Sequence, residues 1–230
     1  MTTTASPGLD RAAKRRQMHL DYVSRIDQLC ATDPGARVAL RAGLRQNIDA
    51  RSTFAMNRHI ARWLPVNASD TTQRAYFTVA AMIASRPRSV AEDEPSTEEA
   101  EGGAADGAEE AEPEPADEPQ RPERWGTSLG TAFAEAVAEA PGRDHEMRES
   151  AAESRLNMLT RQSAGGIHRC LPPSVLYLRQ LDVPVDWAQL LADLIDWPDR
   201  SGRIARRWLQ DYYRRRHHDK DRSDGDDSPE

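Results

Sequence analysis

The sequence predicts an all-α fold, a helical bundle of about eight or nine helices in two halves, and three observations lead there. Apolar residues recur at three- and four-residue spacing through nearly every stretch able to fold. Helix-starting residues stand at the head of those stretches, among them Asp33-Pro34, Ser69-Asp70, Ser128 and Asp186. No alternating apolar and polar run of useful strand length interrupts them.

Residues 1–9 are mostly small and polar and are expected to be disordered. From Asp10 a first helix carries Met18, Tyr22, Ile26 and Leu29 on one face and ends near Cys30. Asp33 caps a second helix with Pro34 at its first position, and Val38, Leu40, Leu44 and Ile48 are its apolar residues. Ser52 or Thr53 starts a third, with Phe54, Met56, Ile60, Trp63 and Leu64 turned to a core, and Pro65 stops it. The fourth, after Ser69-Asp70, is almost continuously apolar from Ala75 to Ala84, which marks a central buried helix. These elements make an N-terminal half over residues 10–89.

Residues 90–124 change character. From Ala91 to Arg124 there are 14 acidic and 2 basic residues, and Val90 is the one large apolar side chain. Such a segment cannot bury enough to offset its ordering entropy, so it is expected to be a disordered acidic insertion. A C-terminal half follows over 125–213. Ser128 caps a helix bearing Leu129, Phe133, Ala136 and Val137, and the stretch from Asp144 to Gln162 reads as another. Gly165-Gly166 reads as a flexible corner and Pro172-Pro173 as a helix start before Val175, Leu178 and Leu181. Asp186 then caps a helix with Trp187, Leu190, Leu191, Leu194, Ile195 and Trp197. Pro198 is expected to end it, with Asp199 or Ser201 opening a last helix through Ile204, Trp208 and Tyr212. Residues 214–230 are expected to be a disordered charged tail.

The formal net charge is -7, but it is unevenly spread. With the acidic insertion and the tail set aside, 24 basic residues face 18 acidic ones, and residues 1–90 alone hold 14 basic against 6 acidic. A basic half beside an acidic tether suits a polyanionic partner. Twenty-nine of the 31 basic residues are Arg, a bias that a GC-rich coding sequence also produces. Cys30 and Cys170 lack any metal-ligand or disulfide spacing and read as small core residues. His59 has no second ligand at metal spacing, and His217-His218 lie in the tail, where nothing preorganises them. No apolar run has the length of a membrane span and no signal-type segment is present near Met1, so the expected compartment is the cytoplasm. Neither a phosphate-binding glycine loop nor a nucleophile elbow, metalloprotease helix or dinucleotide turn occurs. The expectation is a protein that is not an enzyme, with no catalytic residues, metal or cofactor.

The order of several short motifs resembles the CasB-type small subunit of the type I-E CRISPR Cascade complex. The motifs are Gly35-Ala36-Arg37-Val38-Ala39-Leu40-Arg41-Ala42-Gly43-Leu44, the helix Ala75–Ala84, Gly126-Thr127-Ser128-Leu129-Gly130, Arg155-Leu156-Asn157-Met158-Leu159-Thr160, and Pro184 to Trp197 followed by an Arg-rich helix. Departures are the long acidic insertion, Phe77 and Met158 at motif positions, and Pro172-Pro173 in place of a regular helix start. The resemblance implies two helical halves, the other Cascade subunits and crRNA as partners, pairing with a second copy of the chain, and contact with target DNA strands without a membrane or catalysis.

On that basis the candidate nucleic-acid-binding residues are Arg37, Arg41 and Arg45, spaced four apart on the second helix, Arg58 and Arg62 on the third, and Arg155, Arg161, Arg179, Arg206 and Arg207 in the second half. Guanidinium forks match phosphate oxygens without reading sequence. Two other classes remain open. One is a protein–protein scaffold whose arginines are merely solvated. The other is a helix-turn-helix regulator using the helix Arg203 to Tyr213, which is rich in core aromatics for a recognition helix.

Overall fold

The computed structural model describes residues 7–44, 48–85, 126–138 and 145–226, the side chains of 7–10 and 221–226 excepted. Residues 1–6 and 90–124, expected to be disordered, lie outside the described residues, whereas residues 7–9, expected to be disordered with them, are the first residues of a helix. Among the described residues every regular element is helical: α1 (Pro7–Thr32), α2 (Pro34–Arg41), α3 (Asn57–Ile60), α4 (Asp70–Ala84), α5 (Leu129–Val137), α6 (Glu149–Thr160), α7 (Ala164–Gln180) and α8 (Trp187–Asp226). Two 3-10 turns, Arg51–Met56 and Ala61–Trp63, flank α3. The all-α class therefore holds.

Helix α4 is the central member. Its residues Ala75 to Ala84 are all buried, as a run apolar except for Thr78 demands. Helices α1, α2, α7 and α8 pack around it, and α8 also meets α5 and α6. The two halves share one core, and the described residues before 87 and after 124 form one compact unit. Tyr22 of α1 stands 4.8 Å from Tyr76 of α4, ring centre to ring centre, and its hydroxyl donates to the Tyr76 carbonyl at 2.8 Å. Burial pushes the Tyr22 phenol well above its ordinary value, so it stays a neutral donor. In α8, Trp197 and Trp208 are both fully buried with ring centres 5.1 Å apart.

The caps predicted for four helices form. Asp33 accepts from the Ala36 amide, Ser69 from Thr72, Ser128 from Thr131, and the Asp186 carboxylate from the Gln189 amide at 2.8 Å. Ser163 caps α7.

Several local expectations are corrected. Pro172 and Pro173 lie inside α7, and Gly165-Gly166 belong to its first turn. The two prolines withhold amide donors from the ladder without ending it, because Pro172, Ser174, Val175 and Leu178 are buried against the core. The break expected at Pro198 falls two residues later, at a kink that separates the helical segment ending in Trp197 and Pro198 from the one that carries Ile204, Trp208 and Tyr212. The chain bends at Arg200 (φ -133, ψ 18) and continues. It runs on to Asp226, so no boundary occurs at 213. Arg216, 13% exposed at its side chain, faces Glu149 of α6 at 3.5 Å, and Lys220 reaches the same carboxylate at 3.2 Å. These cations hold the Glu149 carboxyl below its ordinary value. The second helix stops at Arg41, and the third is broken into 3-10 and α turns. Val38 and Phe54, expected in the core, are 69% and 57% exposed. Met18 and Met158 are exposed as well, and Trp187 is half-buried.

Candidate nucleic-acid interface

Nine of the ten arginines singled out in the sequence are among the described residues, and they are held in three ways. Arg37 and Arg179 are turned inward to the C-terminus of α4. The Arg37 Nε donates to the Ala84 carbonyl at 3.2 Å, and the Arg179 Nη1 donates to Met82 at 2.7 Å and to Ile83 at 3.3 Å. The Ser85 hydroxyl takes the Ala81 carbonyl at 2.6 Å. The last four carbonyls of the central helix, two of which also accept from the Ser85 amide, are thus met by three side chains, two of them cations at the negative end of the helix dipole. Arg179 also lies 5.3 Å over the Trp187 ring.

Arg207 is held by a buried carboxylate. Asp193, one turn after Gln189 on α8, accepts from Arg207, from the Trp208 indole at 2.7 Å and from the Gln189 amide at 2.7 Å. Burial still raises its pKa above the ordinary value, against the opposing pull of Arg207, Trp208 and Gln189. Gln189 in turn accepts from the Gly126 amide at 3.0 Å, and Asp186 accepts from the Thr127 amide and from Arg16 of α1. The Gly126 to Gly130 motif is therefore a docking element. A Cβ on Gly130 would lie 1.8 Å from the Trp208 carbonyl oxygen, so glycine permits α5 to touch the α8 backbone.

The other described arginines lie at the surface, Arg155 half-buried. Arg62 stacks on Trp63 (4.8 Å) and Arg155 on Tyr177 (4.7 Å). Arg41, Arg58, Arg161 and Arg206 are exposed and make no hydrogen bond, ion pair or ring contact with the described residues. Arg45 lies outside the described residues. The stripe of Arg37, Arg41 and Arg45 is therefore not one uniform solvent-directed face, since its first member is part of the α4 cap. Sequence reasoning passed over Arg51, exposed at the head of the 3-10 turn before α3. From Pro34 to Val66 the chain has six arginines, Arg37, Arg41, Arg45, Arg51, Arg58 and Arg62, and a single acid, Asp49. That imbalance is the signal that would have found it.

The buried histidines are structural in geometry. His168 Nδ1 is 3.0 Å from the Thr78 hydroxyl, and burial lowers the pKa of both His168 and His19 to about 4, so each is neutral near pH 7. Cys30 and Cys170 are free thiols, and burial raises Cys30 to about 11, which disfavours its thiolate. Among the described residues no three His, Cys, Asp or Glu side chains gather as a metal site, and no helix is long and apolar enough to cross a membrane.

Fold and surface together define an all-α protein with one apolar core and an arginine-rich exterior on its N-terminal half. Residues 36–213 match the family described as CRISPR-associated protein Cse2. A chain of a solved CRISPR RNA-guided surveillance complex is 30% identical, with 91% of this chain and 99% of that one covered at a TM-score of 0.69. A chain from such a complex in a state described as pre-nicking gives 30% identity, 90% and 98% coverage, and the same TM-score. A comparison with curated protein sequences found no match. The chain belongs to the Cse2 family of CRISPR-associated proteins.

Proposed function

We propose that this chain is the small subunit of a type I-E CRISPR surveillance complex of the Cascade kind, in the cytoplasm. There it joins other subunits, crRNA and a second copy of itself, and binds the opened target strands without catalysing a reaction. Guide pairing exchanges one duplex for another of similar stability, so modest extra attraction for the opened strands tips the balance toward the open state. Arginine–phosphate contacts supply that attraction without sequence preference. The observation that carries the reading is the surplus of six arginines over one acid from Pro34 to Val66, with Arg41, Arg51 and Arg58 exposed and Arg62 braced on Trp63. Arg161 and Arg206 extend the set into the second half. Arg155, half-buried on Tyr177, is a secondary member. Arg37, Arg179 and Arg207 support it from within.

The test is a combined Arg41→Ala, Arg58→Ala and Arg62→Ala variant, assayed for binding to unrelated single-stranded and duplex DNA over a salt series. Affinity is expected to fall for all sequences alike. The slope of log affinity against log salt is expected to flatten by ~0.7–0.9 for each phosphate that is no longer neutralised. Thermal stability stays near that of the parent, whereas Arg37→Ala and Arg179→Ala lower it by uncovering carbonyls of α4. Unchanged affinity and slope in a folded triple variant would return these arginines to the role of a solvated face and favour the scaffold.

A further inference from the structure

The 3-10 turn Arg51–Met56 has a three-residue period, which divides its side chains into three edges. One edge, Thr53 and Met56, is buried at 1% and 0% exposure, and the Thr53 hydroxyl donates to the Ile48 and Ala50 carbonyls at 2.7 Å. This edge anchors the turn. A second edge holds Arg51, Phe54 and Asn57, all exposed, with Phe54 at 57%. Arg58 follows one turn beyond Phe54, and the Asn57 amide is steadied by the Phe54 carbonyl at 3.4 Å.

We infer that Phe54 is a stacking platform for an unpaired nucleobase, with Arg51 and Arg58 holding the phosphates on either side of it. The inference rests on the strand-binding reading and adds the single-stranded form of the ligand. Three features favour this occupant over an apolar protein partner. The phenyl ring is presented singly on a fixed edge. Exposed Arg51 precedes it by three residues and exposed Arg58 follows it by four, and neither forms an ion pair with the described residues. The surrounding stretch holds one carboxylate among six arginines, so its charge complements a polyanion. A duplex offers phosphates but keeps its bases stacked, whereas a displaced strand offers both to an aromatic set among arginines.

The experiment uses the full chain with Phe54→Ala, Phe54→Trp and Arg51→Ala. The probes are a fluorescent deoxythymidine oligonucleotide, an abasic strand of equal length and a duplex. Phe54→Ala is expected to weaken the deoxythymidine strand by about 5- to 150-fold, the range for one base stacked on an aromatic ring. Its salt slope stays parental, because every guanidinium that meets a phosphate is still in place. Abasic strand and duplex binding are unchanged, and Phe54→Trp retains the affinity. Arg51→Ala flattens the slope by ~0.7 on both single strands. Equal weakening on thymidine and abasic strands, or no weakening with Phe54→Ala, overturns the stacking role even where the Arg41, Arg58 and Arg62 variant shows that strands are bound. If Phe54→Ala spares every strand but releases the chain from the other subunits of its complex, the ring is a protein contact and the inference fails. Absence of strand binding by the parent chain at low salt, alone and within the complex, overturns both readings together.

Discussion

Removing Arg207 is expected to turn the buried Asp193 from a satisfied anchor into an uncompensated charge. Asp193 is 3% exposed and lies in α8 before the bend, whereas Arg207 and Trp208 lie after it. Three donors converge on the carboxylate, and one of them is a cation. With Arg207→Ala the Gln189 and Trp208 hydrogen bonds remain, but the opposite charge is gone, and loss of one partner of a buried pair costs about 3–5 kcal/mol. The cost depends on pH in a defined direction. In the parent, burial already holds Asp193 above its ordinary value of 3.8. Without the guanidinium that opposes burial, the folded-state pKa rises further while the unfolded value stays put. The variant therefore loses stability relative to the parent as pH rises above the ordinary carboxylate range, and the gap narrows in acid, where Asp193 is protonated in both folded and unfolded chains.

Denaturant unfolding of the parent, Arg207→Ala and the double variant Asp193→Asn with Arg207→Ala, in acid and at neutral pH, measures this. The double variant is expected to recover much of the neutral-pH loss, because an amide carries no charge to strand. A cost below about 1 kcal/mol for Arg207→Ala, or a cost of the same size in acid, would refute the buried-charge argument and reduce the contact to a surface pair.

Gly130→Ala is expected to destabilise strongly, at or above the ~1–3 kcal/mol of ordinary overpacking, because the clash is with the Trp208 backbone. Loss of the cooperative thermal transition or a large drop in Tm is the readout. Trp208→Ala is expected to cost ~3–5 kcal/mol as a fully buried aromatic, and Trp187→Ala clearly less, since half-buried Trp187 is flanked by solvent and Arg179. Denaturation midpoints of the two variants check the order.

The helices were legible because the core is built from residues whose spacing repeats: Tyr22 and Ile26, Ala75 to Ala84, Leu190 to Trp197, Trp208 and Tyr212 all lie where their periodicity puts them. Three kinds of feature were not. Proline reads as a stop in a sequence, yet burial of Pro172 and its neighbours Ser174 and Val175 keeps Pro172 and exposed Pro173 in helix, and the break expected at Pro198 falls at Arg200. A 3-10 turn has period three, so a reading at period 3.6 placed Phe54 inward when it faces out. The continuation of α8 past residue 213 depends on Glu149, far off in sequence, meeting Arg216 and Lys220.

The arginines illustrate the same limit most sharply. Arg37 and Arg41 stand one helical turn apart in α2, and no local pattern separates them. What separates them is where α4 ends. Its terminal carbonyls are delivered to Arg37 from one side and to Arg179 from the other, across sequence separations of 47 and 96–97 residues. A guanidinium that meets a backbone carbonyl in a half-buried site is committed to that acceptor, since withdrawing it strands the carbonyl. Arg41, one turn along, is exposed and meets no acceptor among the described residues. An arginine stripe is thus a statement about supply of donors alone. Which members reach a phosphate is decided by the acceptors that the folded chain has already brought to them, and here that divides the candidates into a capping pair at α4, the Asp193 partner Arg207, and an outward set led by Arg41, Arg51, Arg58 and Arg62.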